Sequence, residues 1–278
     1  MGKLYVVGTP IGNLGDFSPR AVRTLEECDF IAAEDTRVTL KILNHFSIKK
    51  QMVSYFEHNR TEQGEKIIAR LLSGEVCALL TDAGMPAISD PGEDLVRACH
   101  ENNIEVESVP GPCAFSTALA ISGMPSGRFT FEGFLSVTKN SRREHLLSLK
   151  DEKRTMIFYE APHKLAATLK DMYENFGDRN IAIVRELTKI HEEVIRTTFS
   201  EAVKLYGDGG IKGEIVLIIE GKKEEKKEIT LEEAVEIARK KMSEGFSKNE
   251  SAKLAAKMTG IKKGDIYAII SSTGLREE

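Results

Sequence analysis

Two short polar motifs stand after apolar, strand-like segments near the N-terminus. AEDTR (33–37) follows the second such segment and FEHN (56–59) follows the third. The side chains in these motifs that could accept a proton in general base catalysis are Glu34, Asp35, Glu57 and His58. Arg37 and Asn59 could hold a substrate, Arg37 through a phosphate. A simpler interpretation is also open, in which Asp35 pairs with Arg37 and caps the next helix.

Three Gly- and Pro-rich loops also follow predicted strands. They are TPIGNLGD (9–16), TDAGMPAISDPG (81–92) and VPGPCA (109–114). Because the carboxyl ends of parallel strands share the sheet edge where ligands bind, these loops could form one pocket. The first loop fits neither G-x-G-x-x-G nor the P-loop pattern, and Pro10 removes a backbone donor. The pocket is therefore expected to be poor in phosphate-binding groups, although its glycines could serve backbone conformation alone.

A pocket of this kind suits S-adenosylmethionine, which carries a sulfonium cation and no phosphate. Asp82 is the carboxylate expected to meet the donors and positive charge of that cofactor, unless it only caps its own turn. Glu160 and Ala161 end a later strand and could close the pocket from the other side, or be ordinary loop residues. The residues expected to bind the cofactor are Pro10, Asp82, Gly84, Met85, Ile88, Cys113, Ala114, Glu160 and Ala161.

The elements that must position these residues alternate between strand and helix signals up to about residue 110. This alternation predicts a largely parallel sheet covered on both faces, with one helix beginning at Asp90-Pro91. A second α/β set begins at FTFEGFL (129–135), and its closely spaced later strands predict a mixed sheet. The predicted domains are 1–118, 119–221 and 229–278.

The third predicted domain is a small helical module. The charged stretch GKKEEKKE (221–228) is expected to link it to the rest of the chain. TLEE and SKNE, which begin at Thr230 and Ser247, fit the helix capping box. With a third short helix they predict a helix-turn-helix-like arrangement, which could bind nucleic acid or merely pack on the main body.

Composition narrows the class of protein. The 278 residues carry a net charge of −4 and no apolar run near the roughly 20 residues that cross a bilayer. The four cysteines are isolated and the six histidines do not cluster, so we expect no metal site and a reducing, cytoplasmic setting. KNSRREH (139–145) is the densest basic cluster. Its Arg142 and Arg143 could follow RNA phosphates or simply begin a solvated helix.

TPIGNLGD, AEDTR, TDAGMPAISDPG and VPGPCA, in this order and spacing, closely resemble the tetrapyrrole-methylase-fold family. Within it they look like the branch that methylates small-subunit ribosomal RNA. The resemblance covers the whole chain. It implies two α/β domains with the cofactor in the cleft between them, a small C-terminal helical appendage and usually a homodimer. It also implies 2′-O-methylation of a cytidine ribose in the decoding region of small-subunit rRNA, either free or in the assembled subunit.

One departure bears on the substrate. The broader family often carries Gly-Asp-Pro where this chain has Thr81-Asp82-Ala83, which disfavours a tetrapyrrole acceptor. Other methyltransferases bind the cofactor ribose with an acid after the second strand, but the first loop lacks the glycine pattern that accompanies that role. The candidates for the base are Asp35, Glu57 and His58, and those for RNA contacts are Arg37, Asn59, Arg142 and Arg143.

The sequence leaves two alternative functions open. An enzyme of the same fold could methylate a tetrapyrrole or a modified protein residue. A non-catalytic regulator could bind nucleic acid through the C-terminal module, but this leaves the three Gly- and Pro-rich loops without a role.

Overall fold

A computed structural model describes residues 2–207, 209–223 and 229–272. The chain separates into two compact units, residues 1–223 and residues 224–278. Within the described residues, the larger unit contains two five-stranded sheets and the smaller one contains three helices. In the described part of the chain, no helix has the length and apolar character needed to span a membrane.

The first sheet is wholly parallel, with strand order β3-β2-β4-β1-β5. Its strands are β1 (Lys3–Val7), β2 (Phe30–Ala33), β3 (Gln51–Ser54), β4 (Val76–Leu80) and β5 (Glu105–Val109). Helices α1 (Pro19–Glu27), α2 (Thr36–His45), α3 (Arg60–Leu72) and α4 (Glu93–Glu101) connect them. An apolar cluster lies on each face, as expected for a sheet built from nearly continuous apolar strands. The prediction of a parallel sheet is confirmed. Because the strands are parallel, the carboxyl ends of all five lie at the same edge of the sheet.

The helix expected to begin at Asp90-Pro91 begins later. Gly92 is the N-cap residue of α4, with φ of 148°, and Asp90 lies in the loop before it. The prediction was wrong because Asp-Pro also initiates turns, and here the turn continues to Gly92.

The second sheet is mixed, as predicted, with strand order β6-β7-β10-β8-β9. Its strands are β6 (Phe129–Phe134), β7 (Thr155–Glu160), β8 (Asn180–Arg185), β9 (Glu193–Thr198) and β10 (Ile215–Ile219), and only β6 and β7 pair in parallel. Its helices are α5 (Ala114–Ser122), α6 (Lys139–Ser148), α7 (Leu165–Phe176) and α8 (Phe199–Tyr206). The division expected after residue 118 falls inside α5, which packs on β7, β8 and β10.

The described part of the smaller unit, residues 229–272, contains the helices α9 (Leu231–Ser243), α10 (Lys248–Thr259) and α11 (Lys263–Ser272). Both predicted capping boxes form, because Thr230 and Ser247 each exchange hydrogen bonds with the Glu three residues later. The helices share an apolar core of Ala234, Val235, Ala238, Ala252, Ala255, Ile266 and Ile270. The expected linker residues 224–228 and the C-terminal residues 273–278 lie outside the described residues.

Candidate functional site

A cavity of about 360 Å³ lies between the two sheets. The loops after β1, β4 and β5 form one side of it, and residues from β6, β7, β8 and β10 form the other. Much of the second side is apolar and comes from Val184, Leu187, Ile215 and Val216. The volume lies in the range of small-molecule pockets. The expected pocket at the carboxyl edge of the first sheet is therefore present, with the second sheet closing it.

Backbone hydrogen bonds join the first loop to the second. The Thr9 amide donates to the Gly84 carbonyl at 2.9 Å, and the Gly84 amide donates back to the Thr9 carbonyl at 3.2 Å. The Thr9 hydroxyl also donates to the Thr81 carbonyl at 3.1 Å. Gly84 has φ of +90°, a conformation that favours glycine. These bonds hold two loops that are 72 or more residues apart in the chain as one wall.

A close contact joins the first loop to the third. A Cβ atom on Gly8 would lie 2.6 Å from both the Gly111 Cα and the Met85 Sδ. The Gly111 amide donates to that sulfur at 3.3 Å. No side chain larger than hydrogen fits at Gly8 without moving the neighbouring backbone. Gly8, which joins β1 to the first loop, thus serves loop packing, which agrees with the absence of a phosphate-binding pattern.

Seven of the nine residues expected to bind the cofactor line this cavity. They are Gly84, Met85, Ile88, Cys113, Ala114, Glu160 and Ala161. Pro10 is buried beside them but does not belong to the lining, whereas its neighbour Ile11 does. The seven lie together because the loops after β4 and β5 and the end of β7 converge on this cavity. Their role in binding a cofactor stays a prediction.

Asp82 is directed toward the AEDTR turn. Its carboxylate accepts a hydrogen bond from the Asp35 amide at 3.1 Å, and its own amide donates to Glu34 Oε2 at 3.3 Å. Burial, followed by the Asp35 charge, raises the pKa of Asp82. Asp82 does not belong to the cavity lining. The hydrogen bonds of Asp82 join the loop after β4 to the turn after β2 at the same edge of the sheet.

Glu160 is buried, and its carboxylate is engaged at the end of β7. It accepts hydrogen bonds from the Thr168 hydroxyl and from the Ala161 amide. Glu214, another carboxylate of the lining, pairs with Lys189 at 2.9 Å. Both acidic side chains therefore have partners within the protein.

The AEDTR turn is also satisfied internally. Asp35 is the N-cap of α2 and accepts hydrogen bonds from the Arg37 amide at 2.8 Å and from the Arg37 guanidinium at 2.6–3.1 Å. These bonds lower the pKa of Asp35 to about 2. The ion pair and the helix cap of the simpler interpretation are both present, and a role of this motif in substrate binding stays a prediction. A carboxylate with so low a pKa is a weak general base near neutral pH.

The FEHN turn behaves in the same way. Asn59 accepts from the Phe56 amide at 2.8 Å and donates to the Ser54 carbonyl at 3.1 Å. Glu57 pairs with Arg60 at 3.3 Å, and His58 is exposed. The three candidates for the base, Asp35, Glu57 and His58, all lie outside the cavity lining.

The basic cluster divides between its two arginines. Arg142 donates from Nε to Asp171 at 2.6 Å, and its side chain is only 16% exposed. This ion pair ties α6 to α7. Arg143 is exposed. Of the two predicted RNA contacts in this cluster, Arg142 is engaged in the fold and Arg143 faces solvent.

Sequence reasoning missed Asp90 as a site residue. Asp90 lines the cavity and is half-buried. Burial, then the charges of Glu34 and Asp82, raise its pKa to about 7. The Asp90-Pro91 pair predicts a helix start, and the signal that points to the cavity is the place of Asp90 inside the second Gly- and Pro-rich loop.

The remaining lining residues set the charge of the site. Among the described residues that line the cavity, none is Lys, Arg or His, while Asp90, Glu160 and Glu214 are acidic. Phe134 lines the cavity with 59% of its surface exposed, and the Tyr159 hydroxyl accepts from the Phe115 amide at 3.1 Å. The arrangement favours a cationic or neutral ligand with an apolar part over a phosphorylated one.

Comparison with known proteins agrees with this geometry. A family model described as tetrapyrrole (corrin/porphyrin) methylases matches residues 3–203. The chain is 45% identical over 271 residues to ribosomal RNA small subunit methyltransferase I of Synechocystis sp., covering 97% of each chain. It is 48% identical over 222 residues to the protein of the same name from Thermotoga maritima, covering 80% of this chain and 100% of that protein.

A solved structure of cobalt precorrin-4 methyltransferase shares the fold. Its TM-score is 0.59 at 18% identity, over 78% of this chain and 94% of that one. The predicted fold class, two α/β domains of tetrapyrrole methylase type with a helical C-terminal region, is confirmed. Since the family model spans most of the chain and relatives above 40% identity match it almost end to end, the chain belongs to the tetrapyrrole (corrin/porphyrin) methylase family.

Proposed function

We propose that this protein transfers a methyl group from S-adenosylmethionine to the 2′-hydroxyl of a cytidine ribose in the decoding region of small-subunit rRNA. The observation that carries the proposal is identity of 40–48% to proteins named ribosomal RNA small subunit methyltransferase I. That name supports rRNA as the acceptor. The resemblance of the loop motifs supports the ribose hydroxyl as the acceptor and a homodimer as the assembly, and the isolated cysteines support a cytoplasmic setting.

The cavity fits the proposed methyl donor. Gly84, with φ of +90°, leaves room where a Cβ atom would contact the Ile11 Cγ2 at 3.4 Å. The apolar lining would hold the adenine, while the acidic side chains and the lack of a basic one suit a sulfonium cation. S-adenosylmethionine supplies an electrophilic methyl carbon on positively charged sulfur. We infer that Gly84, Met85, Ile88, Cys113, Ala114 and Ala161 hold this donor, with Pro10 and Asp82 supporting the loops behind it.

The protein's own groups would act mainly by alignment. Methyl transfer is an in-line displacement, so fixing the hydroxyl oxygen against the methyl carbon and excluding water supplies much of the rate. The loops joined through Thr9, Gly8 and Gly111 make one rigid wall for this purpose. Phe134, exposed at the cavity, offers an apolar surface for the acceptor nucleoside.

The test is transfer of labelled methyl groups to three acceptors, namely small ribosomal subunits, naked rRNA and precorrin-type tetrapyrroles. We expect label in rRNA, and nuclease digestion followed by mass spectrometry should identify 2′-O-methylcytidine. Label in a tetrapyrrole, in protein or on a nucleobase would overturn the proposed acceptor. A lack of donor binding in calorimetry at millimolar concentration would instead favour a non-catalytic nucleic-acid-binding protein.

A further inference from the structure

Phe134 is an aromatic side chain that lines the cavity and stays largely open to solvent. It ends β6, a strand at one edge of the second sheet, and 59% of its surface is exposed. Single exposed apolar side chains are common on protein surfaces and need no function. Phe134 differs from such side chains because the backbone of β6 directs it to the cavity and a second aromatic ring is held beside it.

A bulge in β6 sets the direction of Phe134. Phe131 pairs with Ile157 of β7. Three residues further along β6, Phe134 pairs with Tyr159, which is only two residues further along β7. Because side chains alternate between the two faces of a strand, this extra residue brings Phe134 to the face of Phe131 and Tyr159, and Tyr159 also lines the cavity. Bulges are frequent beside active sites, where they change the direction of a side chain.

Tyr159 gives Phe134 a fixed aromatic neighbour. The two ring centroids lie 5.4 Å apart, with the ring planes at 59°. The Tyr159 hydroxyl accepts a hydrogen bond from the Phe115 amide at the start of α5, and the Phe131 ring packs against the Tyr159 ring at 5.0 Å. Phe134 therefore rests on a ring that is held at its hydroxyl and on one side. A rigid aromatic surface of this kind loses little conformational entropy when a ligand binds to it.

Phe134 lies apart from the buried apolar lining. Val184 belongs to β8, and Ile215 and Val216 belong to β10, whereas β7 separates β6 from β10. Since neighbouring strands are about 4.8 Å apart, β6 lies roughly 10 Å from β10 and roughly 14 Å from β8. These three aliphatic side chains are buried and Phe134 is exposed. The buried part suits a small donor, and the exposed ring is accessible to one group of a larger acceptor.

The ligand that best fits this ring is a flat, uncharged base. Bases stack on aromatic side chains, and an alanine in place of the aromatic residue weakens binding about 5- to 150-fold per base. The described residues that line the cavity include no Lys, Arg or His, so the lining suits a base better than a phosphate. A cavity of about 360 Å³ cannot admit a double helix. Only a nucleotide with an unpaired base can bring its ribose to such a cavity.

We propose that Phe134, supported by Tyr159, is the surface on which the unpaired base of the acceptor nucleotide stacks. This inference rests on the proposed function. Because the base is joined directly to its ribose, stacking at Phe134 holds the 2′-hydroxyl of the same nucleotide at the cavity. Stacking tolerates every base type. Phe134 is therefore a substrate-binding residue that selects an unpaired nucleotide over a paired one, and it does not select cytosine over other bases.

The first experiment uses the absence of tryptophan from this chain. Phe134→Trp places a single indole in the proposed stacking surface. The matched control is Phe129→Trp, because Phe129 lies on the same face of the same strand, is 39% exposed and does not line the cavity. Both variants are titrated with unmethylated small ribosomal subunits and with naked rRNA. We expect these acceptors to quench the fluorescence of Phe134→Trp and to leave that of Phe129→Trp unchanged.

The second experiment compares Phe134→Ala, Phe134→Leu and Phe134→Tyr, with Phe129→Ala as the control. We expect Phe134→Ala to lower kcat/KM for the acceptor about 5- to 150-fold, mainly through a higher KM. Phe134→Tyr should restore the wild-type value, whereas Phe134→Leu, which is apolar but not flat, should not. The Kd for the donor, measured by calorimetry, should change less than about twofold, as for ordinary surface substitutions. Melting temperatures check that every variant folds.

Three results would overturn the stacking surface. They are equal quenching in the two tryptophan variants, full activity in Phe134→Leu, or a rise in the donor Kd as large as the loss of kcat/KM, which would assign the ring to the adenine of the donor. This proposal and the proposed function fail separately. Wild-type label in rRNA that Phe134→Ala leaves unchanged would overturn the stacking surface alone, whereas no label in rRNA would overturn the proposed acceptor itself.

Discussion

Five connections leave the same edge of the first sheet, and they fall into two groups. The turns after β2 and β3 are rich in charged side chains, but those groups bind one another, as Asp35 binds Arg37 and Glu57 binds Arg60. The loops after β1, β4 and β5 are rich in Gly and Pro and bind one another through backbone atoms, as Thr9 binds Gly84. The second group encloses the cavity. A high density of reactive side chains therefore does not locate the site.

The two groups also hold their acids in opposite states. Hydrogen bonds from Arg37 lower the pKa of Asp35, whereas burial and neighbouring acids raise the pKa of Asp90. The same residue type is a hydrogen-bonded helix cap in one place and a half-buried carboxyl in the wall of the cavity in the other. Environment decides between them, and the environment comes from loops that are distant in the chain.

The largest effect is expected at the contact between the cavity loops. Gly8→Ala places a methyl group 2.6 Å from Gly111 Cα and Met85 Sδ, so the first and third loops must separate. We expect the free energy of unfolding to fall by about 1–3 kcal/mol, the usual cost of overpacking. The Kd for the donor should rise about tenfold or more, because a loss of about 1.4 kcal/mol in binding free energy raises Kd tenfold. Urea unfolding and calorimetry measure the two changes.

The control for this variant is Gly64→Ala, in the helix that follows the FEHN turn. Its added Cβ would meet only the Tyr55 Cε2 at an ordinary 3.8 Å. Alanine is preferred to glycine in a helix interior by about 1 kcal/mol, so Gly64→Ala should stabilise the fold and leave donor affinity unchanged. Equal donor affinity in both variants would contradict the assignment of the cavity loops to the donor site.

A smaller effect, of opposite sign in the two groups, is expected in the pH dependence of stability. The Asp90 pKa is raised to about 7, so the folded state binds a proton that the unfolded state releases near pH 4. The contribution of Asp90 to the free energy of unfolding therefore decreases as the pH rises from about 4 to about 7. Asp90→Asn should gain stability relative to wild type between pH 5 and 8, on the order of 1 kcal/mol after allowance for partial exposure.

Asp35→Asn should show the reverse trend. The Asp35 pKa is lowered to about 2, so its contribution is present above the unfolded pKa near 4 and is lost as the pH falls toward 2. The variant should be less stable than wild type at pH 7, and this difference should shrink in acid. Urea titrations at several pH values measure both curves. If the difference in stability from wild type changed with pH in the same direction for both variants, the two groups of loops would not differ in their electrostatics.

Local patterns predicted the parts of the fold that local interactions determine. Apolar runs of four to six residues gave both sheets, and the S/T-x-x-E spacing at Thr230 and Ser247 gave two helix starts that the structure contains. The order of the loops, together with the resemblance to the methylase family, selected nine residues, and seven of them line one cavity. These features depend on periodicity, capping and the shared edge of parallel strands, all of which a single sequence displays.

Contacts between distant segments could not be predicted in this way. The approach of Gly8 to Gly111, the pairing of Arg142 with Asp171 and the burial of Asp90 all depend on tertiary packing. Each altered the interpretation of a residue whose type was correctly noticed. Arg142 has the sequence context of an RNA contact, but its guanidinium is paired with the carboxylate of Asp171, which lies 29 positions later in the chain.

The smallest effect on the donor site is expected from Arg37→Ala. The Arg37 side chain is 88% exposed, and the Asp35 cap to the backbone amide at position 37 survives its removal. Donor affinity should therefore change by less than about twofold, as for ordinary surface substitutions. The sequence predicts Arg37 as an RNA contact. If it holds a phosphate, the slope of log affinity for rRNA against log salt should fall by about one unit in the variant, measured by filter binding. A fall in donor affinity would instead place the turn after β2 in the cofactor site and erase the division between the two groups of loops.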